Sequence, residues 1–342
     1  MKKLFATLLL LATAVALPRP ASAQEKPWLQ YITPSGYFQT GYSIDNNSNN
    51  SFYIKRARLS FAGKLYQDAR FGTFEYKVQA ELAGSPKLVD YFIKYTVCVE
   101  FGIQLGQFKT PLSIENSEYA PLKLEMIDYS LLVQRFCRMG ADVTGVNSTG
   151  REMGLQFYGR LFKMDDGHPL VRYEAAVFNG CGINRMDDDR RKDFMARLMV
   201  YPFKDLSLGG YYVRSLGPVD TPPPFYRDYD YFIYDRYGGG FAYDSKYAWF
   251  RAEYMAGHTE GYRGEGAYGT IGCKFRGKGG FGARYDYFTV NSREAGHVQQ
   301  YISVGGFLYP FPRLRVQLNY MYKMDPGVAP VHLVNLMTSI IL

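Results

Sequence analysis

Two pairs of arginines carry the clearest chemical signal in the sequence. Arg56 and Arg58 are two residues apart with no acidic residue beside them in their segment, and Arg313 and Arg315 repeat this spacing. In an extended chain, residues i and i+2 point to the same side, so each pair presents two guanidinium groups together. The guanidinium fork suits oxyanions such as phosphate. We therefore regard both pairs as candidate anion-binding groups.

The segments that contain these arginines alternate between polar and apolar residues. Between Thr73 and Leu82 the alternation is unbroken, and between Phe52 and Leu65 the apolar register has one exception, Lys55. A soluble strand could alternate once, but repetition along the whole chain is typical of strands with one face on lipid and one on water. We predict sixteen such strands, at 35–44, 52–65, 71–82, 89–97, 99–108, 151–162, 170–178, 192–201, 206–214, 237–244, 247–257, 265–275, 281–289, 298–309, 313–323 and 331–342.

The connections between these strands alternate in length. Those after even-numbered strands are short, whereas those after odd-numbered strands include 109–150, 179–191 and 215–236, which exceed ordinary loop lengths. Short turns at one rim and long loops at the other are typical of an outer-membrane barrel with both termini in the periplasm. The predicted fold class is all-β, a transmembrane antiparallel β-barrel. The alternative, a soluble β-sandwich or lectin-like domain, gives no reason to keep charges off one register of nearly every strand.

The connection 109–150 follows the fifth predicted strand and is the third connection on the rim with the long loops. It is expected to fold into the lumen and narrow it. Lys109 lies at its entrance, followed by Pro111, which cannot continue the ladder, while Arg135 and Arg138 lie deeper in the loop. A short helix is predicted around Ser117–Val133. The alternative is an external lid or a loop that contacts another subunit.

Basic residues outnumber acidic ones on the polar registers of the predicted strands. A surplus of fixed positive charge in a narrow aqueous tube raises the local concentration of anions. For any single basic residue, a cross-strand ion pair is the competing interpretation. The candidate pore-lining and anion-binding residues are Arg56, Arg58, Lys77, Lys94, Lys109, Arg135, Arg160, Arg197, Arg313 and Arg315.

The first 23 residues have the pattern of an export signal. Two lysines precede the apolar stretch Leu4 to Leu17, which ends near Ala21-Ser22-Ala23. We therefore predict a signal peptide at 1–23 and a single barrel domain at 24–342. The four cysteines are too scattered for a metal site, and the sequence leaves open whether Cys137 and Cys181 form a bridge.

Two other classes of function are weighed against a channel. Hydrolysis would need a histidine base beside a serine or an aspartate, and the four histidines, at 168, 258, 297 and 332, show no such partner at motif spacing. An enzyme is therefore not expected, nor a cofactor, a metal or a nucleic-acid partner. A sugar-conducting channel or a surface binding barrel would need tyrosines on the lumen register, where Tyr158, Tyr301 and Tyr309 fall.

Four segments of the chain resemble the phosphate-selective porin O and P family of bacterial outer-membrane channels. They are Lys55-Arg56-Ala57-Arg58-Leu59, Gly106 to Glu115 (GQFKTPLSIE), Arg151 to Gln156 (REMGLQ) and Lys192 to Leu198 (KDFMARL). The resemblance implies a sixteen-stranded homotrimeric porin in the outer membrane of a Gram-negative bacterium, with an inward third loop. It also implies passive diffusion of small hydrophilic solutes, with basic residues conducting phosphate-like oxyanions. Lys109, Arg56 and Arg58 match the positions expected to do so.

Overall fold

A computed structural model describes residues 31–187, 191–218, 231–259 and 261–342. The predicted signal peptide lies outside them. Within them the chain forms sixteen strands: β1 Thr33–Asp45, β2 Asn50–Asp68, β3 Gly72–Glu81, β4 Lys87–Cys98, β5 Phe101–Lys109, β6 Arg151–Lys163, β7 Pro169–Phe178, β8 Asp193–Phe203, β9 Leu206–Pro218, β10 Tyr231–Asp244, β11 Ala248–Thr259, β12 Tyr262–Lys274, β13 Gly279–Thr289, β14 Val298–Phe311, β15 Leu314–Met324 and β16 Val331–Ile341.

The strands form one closed antiparallel barrel. Each strand pairs with its neighbours in sequence, and β1 pairs with β16 to close the sheet. Closure removes the two edge strands that would otherwise expose unpaired backbone groups. The predicted number, order and direction of the strands are confirmed. Among the described residues, no helix is both long and apolar enough to cross a membrane.

The largest error in the predicted strand boundaries lies at β9 and β10. The predicted β10 begins at residue 237, but the strand starts at Tyr231 and pairs with a β9 that continues to Pro218. Prolines and tyrosines are frequent in 215–236, and this composition favoured a loop. The backbone pairing nevertheless continues into both ends of that segment.

The two faces of a strand differ in exposure, as β8 shows most clearly. In β8, Phe194 and Leu198 are 46% and 53% exposed, whereas Met195, Arg197 and Met199 between and beside them are buried. The exposed register is apolar, as a lipid-facing surface requires, and the buried register contains most of the charged residues. The buried register also contains methionines, because part of it packs against the long loop.

A bulge in β2 corrects the predicted position of Lys55. Gln39 of β1 pairs with Arg56 and the next residue, Thr40, pairs with Ile54, so Lys55 is an extra residue in the ladder. A bulge places two residues opposite one and turns a side chain away from strict alternation. Lys55 therefore does not lie among the apolar residues as an exception, but forms an ion pair with Asp128 of the long loop.

The loop at 110–150 contains two short helices, α1 at Ile114–Glu118 and α2 at Leu131–Phe136, instead of one helix around Ser117–Val133. Ser113 and Ser130 accept hydrogen bonds from backbone N–H groups of the first turns and so begin the two helices. The buried core lies between this loop and the strands. It joins apolar residues of the loop, such as Leu132 and Phe136, to inward residues of the strands, such as Met255 and Phe288.

Candidate functional site

Three polar cavities lie in series along the wall formed by β2 to β7. The outer cavity, nearest the long loops, has a volume of about 210 Å³, the middle cavity about 310 Å³ and the inner cavity, nearest the short turns, about 430 Å³. The outer and middle cavities share Arg58, Pro121 and Arg151, and the middle and inner cavities share Gln104 and Gln156. The shared residues make the three cavities consecutive.

The outer cavity is strongly basic. Its charged residues are one acid, Glu81, and five bases: Lys55, Arg56, Arg58, Lys87 and Arg151. The Nε of Arg58 donates to Glu81 at 2.8 Å, so this guanidinium is paired. Arg56 donates only to the neutral amide oxygen of Gln39, at 2.9 Å. The predicted pair therefore contributes one guanidinium in an ion pair and one that is bonded to a neutral amide.

The middle cavity contains two carboxylates, Asp90 and Glu118. Asp90 accepts from Lys77 at 2.7 Å and from the Nε of Arg151. Lys109 is at this level, but its ammonium donates to the loop: to the carbonyl oxygens of Asn116 and Tyr119, the latter at 3.1 Å, and to the hydroxyl of Tyr129 at 3.4 Å. The ammonium of Lys109 thus binds the backbone of the loop while it lines the cavity.

The inner cavity contains Lys94, Arg160 and Arg172 with Glu75 and Glu174. The Nζ of Lys94 lies 4.6 Å from the centroid of the Tyr158 ring. Arg172 bonds to Glu118 of the loop at 3.2 Å and to Glu174 at 3.3 Å. Arg160 is exposed to the cavity. Three basic groups therefore meet at the level of the short turns.

On the other wall, arginines of β11, β13 and β15 fasten the loop. Arg315 donates to the carbonyl oxygens of Leu122 and Leu124, both at 2.7 Å, and Arg284 donates to that of Asp128 at 2.7 Å. Arg251 bonds to Glu125 at 2.9 Å and lies 3.5 Å from Glu115. These guanidiniums are buried, and each of them donates to at least one group of the loop.

The carboxylate of Glu253 holds the start of α1. It accepts from the backbone N–H groups of Ile114 and Glu115 at 2.6 and 2.9 Å and from the hydroxyl of Ser113 at 3.0 Å. The hydroxyls of Tyr211 and Tyr268 donate to it at 2.9 and 2.6 Å. A carboxylate at a helix N-terminus satisfies N–H groups that have no partner within the helix. Glu253 of β11 therefore fixes the first turn of the loop.

A second fixed point surrounds Arg138, near the end of the loop. Its guanidinium bonds to Glu152, to the carbonyl oxygen of Gly180 at 2.8 Å and to Asp193 at 3.0 Å. Arg135, the predicted site residue of this segment, bonds instead to the carbonyl oxygen of Ala141 at 3.0 Å. Of the two loop arginines, Arg138 makes the structural ion pairs and Arg135 lies apart from the three cavities described above.

Two loop carboxylates have pKa values below their ordinary ones. Burial alone would raise the pKa of Glu118, but Arg197 and Arg172 hold it below its ordinary value of 4.5. Asp128 behaves alike, since Lys55, Arg56 and Arg284 lower its pKa from 3.8 against the effect of burial. Both loop ion pairs are therefore charged at neutral pH.

The predicted site residues fall into three groups. Arg56, Arg58, Lys77 and Lys109 line the outer and middle cavities, and Lys94 and Arg160 line the inner one. Arg197 and Arg315 are buried and bonded to loop groups, and Arg135 and Arg313 lie apart, Arg313 in the exposed turn before β15. The candidate list did not include Lys55, Lys87 and Arg151. Arg138 was placed in the loop without a role, and Arg172, Arg251, Arg284 and Glu253 fall on the polar registers of the predicted strands but were not chosen. The acidic residues of the loop, which need basic partners, were the signal that could have found several of them.

The cysteines and histidines add two findings. Cys137 is a free buried thiol, so the bridge to Cys181 that the sequence left open is not formed in this structure. His258 lies in β11, just beyond the predicted strand 247–257, and its Nδ1 is 3.4 Å from a carboxylate oxygen of Asp235 on β10. Sequence spacing could not show this partner, because cross-strand neighbours are far apart in the chain. Among the described residues no group of three or more metal-ligating side chains is present.

Comparisons with known proteins agree with this architecture. The family described as phosphate-selective porin O and P matches residues 35–202, which contain nearly all of β1 to β8. No curated protein sequence is significantly similar to the chain. Among solved structures, an anion-selective porin from Comamonas acidovorans is similar, with a TM-score of 0.68 and 12% identity over 91% of this chain and 99% of that chain.

Two further structures support the fold. The trimer form of OmpT from Vibrio cholerae has a TM-score of 0.66 and 12% identity over 91% of this chain and 99% of that one. OmpF of Salmonella typhi, in complex with daunomycin, has a TM-score of 0.66 and 11% identity over 91% and 97%. At such identities the similarity establishes the sixteen-stranded barrel alone. Together with the family match, it shows that this chain is an outer-membrane channel and belongs to the phosphate-selective porin O and P family.

Proposed function

We propose that the chain conducts small hydrophilic solutes by passive diffusion, with a preference for phosphate-like oxyanions. The observation that carries this proposal is the charge of the three cavities, which ten basic and five acidic residues line. The bases are Lys55, Arg56, Arg58, Lys77, Lys87, Lys94, Lys109, Arg151, Arg160 and Arg172, and the acids are Glu75, Glu81, Asp90, Glu118 and Glu174. Fixed positive charge in a confined aqueous path concentrates anions and repels cations.

We infer that the loop 109–150 crosses the lumen and narrows this path. Its residues bond to β2 through Lys55, to β8 through Arg197 and to β11, β13 and β15 through Arg251, Arg284 and Arg315. A single loop reaches opposite walls of a closed barrel only through the interior. Ser117, Ala120 and Pro121 of the loop also line the middle cavity. The loop then forms one side of the path and the wall from β2 to β7 the other.

A sugar-conducting channel is the second candidate. Of the three tyrosines predicted for the lumen register, Tyr158 lines the inner cavity. The hydroxyl of Tyr301 bonds to Asp325 at 2.9 Å, and Tyr309 packs against Phe307 and Arg315. A continuous aromatic path for sugars is therefore less well supported than a basic path for anions. We expect no cofactor and no catalytic step.

We further propose that the barrel acts as a homotrimer within outer-membrane lipid. Large exposed apolar residues such as Phe38, Ile93 and Leu336 lie on the outer register of β1, β4 and β16 and suit contact with lipid or with another copy. The related OmpT structure is described as a trimer form, and the porin from Comamonas as anion-selective. Chemical cross-linking of detergent-solubilised protein should give a trimer; a monomer at all concentrations would contradict this assignment.

The test of the transport proposal is reconstitution into planar bilayers under a gradient of potassium chloride. The expected result is stepwise channel insertion with a reversal potential of anion-selective sign. Orthophosphate should reduce the chloride current more than an equal concentration of glucose does. A cation-selective potential would contradict the anion preference, and stronger inhibition by oligosaccharide than by orthophosphate would favour the sugar channel.

A further inference from the structure

We propose that the inner cavity is a binding site for hydroxylated organic phosphates, the class that includes hexose phosphates and glycerol phosphate. This inference rests on the proposed anion path and names the solute class that its inner part would hold. The site is formed by Lys94, Arg160 and Arg172 together with Glu75, Glu174, Gln104 and Gln156.

The cationic part of this site is not neutralised by the barrel. Arg172 is bonded to Glu118 and Glu174, but Lys94 and Arg160 form no ion pair with any residue in the described part of the chain. Elsewhere on this wall, Arg58, Lys77 and Arg151 each have a carboxylate partner. Lys94 and Arg160 therefore face the inner cavity without an ion pair, and the three basic groups of the lining exceed its two carboxylates, Glu75 and Glu174, by one charge.

Two of the three cations face each other directly. Arg160 of β6 and Arg172 of β7 are cross-strand partners, so their Cβ atoms are about 5 Å apart. Like charges at directly opposite positions destabilise a sheet. A bound anion with several oxygens would relieve this repulsion and accept hydrogen bonds from both guanidiniums and from the ammonium of Lys94.

The neutral part of the site would bind hydroxyl groups. Gln104 of β5 and Gln156 of β6 are also direct cross-strand partners and lie where the middle and inner cavities meet. Within the described residues neither amide side chain makes a hydrogen bond to protein, although Gln104 is only 9% exposed and Gln156 only 7%. Glu75, opposite Lys94, accepts no ion pair there either. Amides and a free carboxylate are suited to polyol hydroxyls and contribute little to binding of a bare inorganic anion.

The size of the cavity agrees with such a ligand. At about 430 Å³ it is the largest of the three and much larger than an orthophosphate ion needs. The ring of Tyr158 is held in place by a bond of 2.7 Å between its hydroxyl and that of Thr96, and it offers a flat surface beside the ammonium of Lys94. A phosphate group at the three cations leaves room for a sugar between Tyr158 and the two glutamines.

The test is inhibition of single-channel chloride current in planar bilayers by glucose 6-phosphate, glycerol 3-phosphate, orthophosphate or glucose, added on the side of the short turns. We expect the two organic phosphates to inhibit at about tenfold lower concentration than orthophosphate, and glucose to have no effect, because the hydroxyl contacts add to the charged ones. Arg160→Gln and Lys94→Gln should weaken inhibition by all three anions at least about threefold.

The variants that separate the two parts of the site are Gln104→Leu and Gln156→Leu. Both should weaken inhibition by the organic phosphates and leave that by orthophosphate unchanged. Lys278→Gln, which removes an exposed charge from a short turn far from β2 to β7, is the matched control and should change nothing. Equal inhibition by orthophosphate and glucose 6-phosphate, or no effect of the glutamine variants, would overturn the organic-phosphate assignment. The reversal potential of the same channels tests the underlying anion path separately.

Discussion

The two arginine pairs share a spacing in the sequence, but their guanidiniums have different partners. Arg56 faces the outer cavity and bonds only to a neutral amide, whereas Arg315 is buried and donates to two loop carbonyl groups. Spacing along one strand predicts which side a residue faces. It does not predict what lies opposite, because that depends on a loop some 200 residues away in sequence. The sequence therefore predicted that Arg56 and Arg315 point inward. It did not predict that Arg56 lines a cavity while Arg315 binds the backbone of the loop.

Arg56 offers the most direct test of the anion preference at the scale of one residue. Arg56→Gln removes a positive charge from the outer cavity. The glutamine side chain keeps a neutral N–H donor at this position. At about 8 Å in water a unit charge contributes about 0.5 kcal/mol, favourable for chloride and unfavourable for potassium, so the ratio of chloride to potassium permeability should fall about fivefold at low salt. Reversal potentials in a salt gradient measure this ratio.

The control for this variant is Arg70→Gln in the exposed turn after β2, which should leave the ratio unchanged. The change in Arg56→Gln should also shrink at high ionic strength, since salt screens the charge. A permeability ratio equal to that of the wild type at low salt would show that Arg56 does not contribute to selectivity.

Secondary-structure elements were predicted well where an alternating pattern fixed them and poorly where tertiary contacts did. The alternation of β3 or β8 follows from one lipid face and one water face, so each strand is encoded locally. The loop between β5 and β6 depends instead on distant residues: Glu253 holds α1, and Asp286 accepts from the backbone N–H of Leu131 at the start of α2 at 3.0 Å. Such partners are invisible in a sequence read segment by segment.

Glu253→Gln tests the attachment of α1. An amide presents one acceptor oxygen where the carboxylate presents two, so at least one of the five donors around it loses its partner inside a buried site. We expect a loss of about 1–3 kcal/mol in the stability of the loop conformation. The measurement is single-channel recording, which should show larger conductance and more open-channel noise, with the barrel still folded.

Glu294→Gln, in the exposed connection between β13 and β14, removes an acid without touching the loop and serves as the control. Conductance and noise equal to those of the wild type in Glu253→Gln would mean that the contacts at α1 do not hold the loop.

Lowering the pH should weaken the attachment of the loop, because protonation of Glu118 and Asp128 breaks their ion pairs with basic residues of the strands. Because their basic partners lower both pKa values, the ion pairs stabilise the loop fully above the ordinary carboxyl values of 4.5 and 3.8, and this contribution is lost as pH falls through the lowered ones. Conductance at constant salt should stay level from pH 7 to about 4.5 and rise only below that range. In Glu118→Gln, part of the rise should already be present at pH 7. A midpoint above 4.5 would contradict the assignment to these pairs.

At the scale of the whole molecule, the barrel has two unlike walls. Arginines of β11, β13 and β15 each donate to groups of the loop, whereas the wall from β2 to β7 contains all three cavities described above. Every strand of the barrel repeats the same alternation of polar and apolar residues. The barrel could therefore be predicted from this alternation and from the lengths of the connections. The off-centre path is a consequence of where the loop packs, and only the assembled structure displays it. Solutes should therefore move along one wall.

Single cysteines on opposite walls can test this asymmetry. With the exposed native Cys98 and Cys273 replaced by serine, Gln104→Cys places a thiol between the middle and inner cavities, and Ser303→Cys places one on β14, where the native side chain is fully buried. A negatively charged methanethiosulfonate reagent should modify position 104 and lower the anion current, because it follows the same path as the solutes. Position 303 should remain unmodified by mass spectrometry. Comparable modification of both thiols would show that the path is central or double, and the basic wall would then lose its special role in selecting the solute.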